Sequence, residues 1–134
     1  MKLRAAIAGA AVVGGAIAAY LTVVHYSHIS PICTSGGCEK VQQSSYAKVG
    51  GIPVAVLGLV AYVSVLLTAA VRGVPAALVG AMIALAGTAF SGYLLWAQIA
   101  RIHAICQWCV GNDVMIAVLA MLCVARVLTE PDTP

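Results

Sequence analysis

Charge is what this sequence has least of. Lys and Arg together number 7 and Asp and Glu 4, so charged residues make up 8% of 134, where a soluble domain carries roughly a quarter. That scarcity excludes an ordinary water-soluble fold. No glycine-rich phosphate loop, low-complexity tract or basic stripe occurs in the chain, which leaves no motif for nucleotide binding, disorder or a nucleic-acid partner. There is no internal repeat beyond helix hairpins, and the net charge of +3 reflects the flanks of apolar segments.

What the chain has instead is long apolar runs. Hydrophobic residues reach 63% and the mean hydropathy is +1.04. Four runs stand out: Ala5 to about Val24, Ile52 to Val71, Ala76 to Ala97, and Ile105 to about Ala125. Each is near the ~20 residues that cross ~30 Å of hydrocarbon as a helix. The expected fold is an all-α membrane protein, a single domain over 1–134, with helices at about 5–25, 52–71, 76–97 and 105–125. With four crossings, the loop 26–51 and the segment Gln98 to Ala104 lie on the same side of the membrane.

Lys2, Arg4, Arg72 and Arg126 fall at the ends read as cytoplasmic, against Lys40, Lys48 and Arg101 outside. The weight of the first helix and the short Arg72–Pro75 turn place both termini in the cytoplasm. A cleaved signal peptide is the other reading of a basic start followed by apolar residues. Its core is typically ~7 to 15 residues, and this run continues through Ile17, Tyr20 and Val24.

Small residues run along the first and third segments, including Gly80, Ala84, Gly87 and Ser91. Such stripes let helix backbones approach closely in lipid, so these glycines are read as packing surface.

Cysteines carry the chemistry. Cys33 and Cys38 sit in the outer loop, while Cys106 and Cys109 begin the fourth helix. Pro31 favours an extended approach to Cys33, and Thr34 to Gly37 form a flexible link to Cys38. From Glu39 to about Val49 the pattern points to a short amphipathic helix that caps the bundle. Cys106 and Cys109, three apart, share a helix face at the positive end of the helix dipole, where a thiolate is stabilised. Thiolate is the form that thiol–disulfide exchange uses. Cys123, fourteen residues past Cys109 and roughly 21 Å along a helix, reads as a buried thiol. His25, His28 and His103 read as interfacial polar residues, and Trp108 as an interface anchor.

With the ordered set Cys33, CEKVQQSSYA at Cys38 to Ala47, GIPVAVLGLVAY at Gly51 to Tyr62 and CQWC at Cys106 to Cys109, the chain resembles the vitamin K epoxide reductase family. The likeness is to its bacterial and archaeal thiol oxidases. It implies a four-helix bundle around a quinone, either menaquinone or ubiquinone. The thioredoxin-like domain fused in some members would here be a separate DsbA-like thioredoxin-fold protein outside the cytoplasm. It also implies roles: Cys33 exchanges with the partner's dithiol, Cys38 shuttles to Cys106, and Cys109 delivers electrons to the quinone. Ser44 matches the family's Ser or Thr near the quinone carbonyl.

Asp113 is not explained by that resemblance. It lies four residues past Cys109, where a carboxylate at membrane depth is costly and marks function or a polar partner. It either hydrogen-bonds the quinone or relays a proton, or it packs on Asn112, Tyr62 or a backbone group. Other classes of function remain: quinone or quinone-epoxide reduction for its own sake, a four-thiolate zinc site, or a structural bundle clamped by two disulfides.

Overall fold

A computed structural model describes residues 2–27, 48–103 and 106–129. Helix α1 runs Lys2–Ser27. A hairpin of β1 (Lys48–Val49) and β2 (Ile52–Pro53) follows, then α2 (Val54–Ala70), α3 (Val74–Ala97), a π-helical turn Gln98–Ile102 and α4 (Gln107–Thr129). The principal contacts join α1 to α2, α2 to α3, α3 to α4 and α4 to α1, a closed ring of four helices.

Among the described residues, three spans, Lys2–Ser27, Val74–Ile102 and Gln107–Thr129, are long and apolar enough to cross a membrane. The expected second span is shorter than its apolar run: α2 has 17 residues and rises about 26 Å. Its first residues are taken by the hairpin. Gly50 and Gly51 have φ of 59° and 84°, the paired positive values that a two-residue primed turn requires, and they set Val49 opposite Ile52 and Lys48 opposite Pro53. The short helix expected up to Val49 is therefore a strand at residues 48–49; residues 39–47 lie outside the described ones.

The core is built from small residues. Ile7, Ala11, Gly14, Ala18, Leu21 and Val24 form the buried edge of α1, a spacing of three and four that keeps one stripe on the bundle axis. Ala81, Ala84, Ile116, Leu119 and Ala120 continue this core on α3 and α4. A Cβ at Gly80 would stand 2.6 Å from Thr68 Oγ1, and one at Gly87 3.1 Å from Ile116 Cγ1. The stripe of α3 is packing surface, as its spacing indicates. Large apolar side chains point outward instead, among them Val60, Leu67, Met82, Leu85 and Met121. Such a surface suits a hydrocarbon solvent rather than water.

One end of the bundle is closed by arginines. The last carbonyls of a helix lack intrahelical donors and carry the negative end of its dipole. At the end of α2, Arg4 Nε donates to the Ala69 carbonyl (2.8 Å), and Arg126 donates to those of Thr68 (2.9 Å) and Val71. Arg126 is buried. Residues expected merely to flank the membrane thus tie α1 and α4 to α2. Cys106 lies at the opposite end of α4.

Candidate active site

The segment Gln98 to Ala104, expected as an outer loop, begins as a continuation of α3. Residues 98–102 form one π turn, closed by the His103 N–H donating to the Gln98 carbonyl. His103 is left-handed, at φ 57° and ψ 35°, and ends the turn. π turns recur at functional sites. Here Gln98 is turned into the bundle and fully buried.

Cys106 stands just before α4, at its N-cap. Its carbonyl accepts the Val110 N–H (3.0 Å), which is the first helical bond. Its own N–H donates to Gln98 Oε1 (2.9 Å), and its Sγ accepts the Cys109 N–H (3.2 Å). The sulfur occupies the place of the oxygen in a Ser or Asp cap, which takes an N–H of the first turn. Cys106 has no exposed surface, whereas Cys109 is half-buried. Trp108, between them, packs on Tyr20 of α1 with ring centroids 4.9 Å apart, fastening the first turn of α4 to α1.

Below the cysteines lies a cleft of about 110 Å³ among α2, α3 and α4, whose lining includes Leu57, Tyr62, Phe90, Ser91 and Asn112. Tyr62 Oη lies 2.8 Å from Asn112 Oδ1 and 3.1 Å from the Asn112 carbonyl. Asn112 is three residues past Cys109, about 4.5 Å along the helix, so the redox pair and the cleft belong to one stretch of α4. Leu57 and Phe90 are partly exposed on the outer surface, at the lipid-facing side of the cleft.

Tyr62 pairs with Asn112, and the Asp113 carboxyl lies close to the Ser91 side chain of α3. Its Oδ2 is buried without a hydrogen-bond partner. Ser91, itself buried, also lines the cleft. The chain's spacing showed Ser91 only as a small residue of a packing stripe. Gln98 drew no attention in the sequence either; its one signal is an uncharged polar residue at the end of an apolar run.

Of the site residues expected from the sequence, Cys106 stands at the N-cap of α4, and Cys109 and Asp113 lie on its first two turns. Cys33, Cys38 and Ser44 lie outside the described residues. Among the described residues, no three of His, Cys, Asp or Glu are grouped to hold a metal ion. Cys123 is a buried free thiol, as its distance along the helix indicates.

Compared with protein families, the chain matches the model of the vitamin K epoxide reductase family over residues 5–124.

Proposed function

Because the chain belongs to the vitamin K epoxide reductase family, whose members are membrane oxidoreductases of thiols and quinones, we propose that it is a disulfide-forming thiol oxidase. It takes electrons from a separate thioredoxin-fold protein and passes them to a membrane quinone. Both termini are cytoplasmic in this reading and the four redox cysteines lie outside. The observation that carries it is the Cys106–Cys109 pair at the N-terminus of α4 directly above a cleft edged by Tyr62, Ser91 and Asn112.

Each thiol step is a balanced exchange. A thiolate of the partner attacks the Cys33–Cys38 disulfide, a mixed disulfide forms, and the partner's second thiol resolves it, leaving the partner oxidised and the loop pair as two thiols. Cys38 thiolate then attacks the Cys106–Cys109 disulfide at Cys106, releasing Cys109 as thiolate, and Cys33 closes on Cys38. The Cys109 N–H against Cys106 Sγ and the dipole of α4 favour negative charge at this end of the helix. Reforming the Cys106–Cys109 disulfide gives up two electrons and two protons. The quinone supplies the two-electron acceptor and leaves as quinol.

The cleft fits such an acceptor in chemistry: apolar walls with a few convergent polar groups are what a small-molecule site needs. A cavity of ~150 Å³ holds benzene, so a quinone ring requires the exposed Leu57 and Phe90 side chains to swing outward. In this reading Asn112 and Ser91, which line the cleft, hydrogen-bond a ring oxygen, and Asp113, close to Ser91, supplies a proton to it.

Anaerobic quinone reduction by the purified protein with a reduced thioredoxin-fold partner tests the reading. Cys33→Ala and Cys109→Ala each stop turnover, and Cys109 is still required when a small dithiol replaces the partner. Absence of quinone reduction by the wild type with any such donor would refute it.

A further inference from the structure

One side chain closes the connection from α3 to α4, and it does so with both of its residue's oxygens. The Gln98 carbonyl takes the His103 N–H, and Gln98 Oε1 takes the Cys106 N–H at 2.9 Å. In a capping box the N-cap residue's own N–H is taken by a Glu or Gln at the third helical position. Here that position is Cys109, whose side chain is the second thiol of the pair. The acceptor is supplied from the preceding helix instead.

The burial of Gln98 makes the bond more than incidental. An apolar side chain of similar volume would fill the same space without the desolvation that a buried amide must recover through hydrogen bonds. Gln98 is 2% exposed and opens the π turn that follows α3. With its N–H fixed, Cys106 stays at the N-cap, and the Cys109 N–H falls on its sulfur at 3.2 Å.

We propose that Gln98 is a positioning residue of the redox pair, holding Cys106 at the N-cap of α4 so that its thiolate is stabilised by the Cys109 N–H. This rests on the reading of Cys106 and Cys109 as a redox pair, and on no property of the quinone. A dithiol whose thiolate is stabilised is favoured over its disulfide, which makes the pair a stronger oxidant of the loop cysteines. Gln98 therefore tunes the step that draws electrons inward.

The experiment uses the full chain in nanodiscs with Cys33, Cys38 and Cys123 replaced by Ala, comparing Gln98, Gln98→Met and Gln98→Glu. Three quantities are read: hydrogen exchange of the Cys106 amide, the pH midpoint of Cys106 alkylation with Cys109→Ser added, and the dithiol–disulfide equilibrium in dithiothreitol buffers. In Gln98→Met the amide exchanges faster and the alkylation midpoint rises. The equilibrium moves about tenfold toward the disulfide, ~30 mV more negative. Gln98→Glu keeps an acceptor oxygen at the same reach and retains slow exchange, which separates loss of the bond from loss of the fold. Faster exchange in Gln98→Met with an unchanged midpoint and equilibrium would make Gln98 a structural staple and overturn the proposal, as would no change in any of the three. A wild-type pair that forms no disulfide at all would overturn the proposed function together with it, whereas a pair that oxidises normally and ignores Gln98 overturns this inference alone.

Discussion

The ring of Tyr62 lies on the bare backbone of Gly14, so closely that a Cβ at position 14 would overlap the ring. The contact brings α1 and α2 together at the level where the Tyr62 hydroxyl reaches Asn112 on α4, so one side chain joins three helices beside the cleft. Gly14→Ala drives a methyl group into the ring and should destabilise the bundle by about 1–3 kcal/mol, the usual cost of overpacking. Thermal unfolding in detergent measures it. Gly9, with nothing within 4 Å of an added Cβ, is the control: Gly9→Ala leaves the midpoint unchanged or raised.

Cys106 does two jobs, one structural and one chemical, and substitution can separate them. Cys106→Ser replaces the sulfur acceptor with an oxygen acceptor of the type N-caps prefer. It should keep wild-type stability while abolishing thiol exchange. Cys106→Ala removes both functions and should cost about 1 kcal/mol of helix stability. Paired unfolding curves decide it: equal stability of the two variants would remove the capping role.

Arg126 fixes the far end of the bundle. Arg126→Met leaves the Thr68 and Val71 carbonyls without their buried donor. Loss of a buried partner of this kind costs about 1–3 kcal/mol, seen as a lowered unfolding midpoint. Quinone reduction per folded molecule stays at wild type, because the change is at the opposite end of α4 from Cys106. Loss of turnover in folded protein would contradict that separation.

Ser91 and Asp113 are expected to act as one unit on the acceptor side. Asp113→Asn keeps the shape but removes the acid, and positioned proton donors contribute ~10²–10⁴ in rate. Quinone reduction should fall by at least about tenfold, with Ser91→Ala falling in the same step and the double variant no lower than the worse single one. Rapid-mix kinetics on pre-reduced protein isolates this step from exchange with the partner. An Asp113→Asn protein with an unchanged rate across pH would end the relay idea.

By itself the sequence determined the membrane class, the helices and the pair Cys106/Cys109 with its helix-start setting. These follow from local composition and spacing: an apolar run too long for anything but a span, small residues three and four apart, and two thiols one helical turn from each other. It began the second helix two residues early, because Ile52-Pro53 reads as the start of an apolar run, while the positive φ of Gly50 and Gly51 folds those two residues back as a hairpin strand. Only the tertiary structure decided which polar groups meet. Gln98 with Cys106, Ser91 with Asp113, Tyr62 with Asn112, and Arg4 and Arg126 with the end of α2 are joined by helix packing and by a π turn. Most of these partners come from different helices and far-apart stretches of sequence. In an interior with little water each buried polar group must find a partner within the bundle, and the spacing along one chain does not say which helix will supply it.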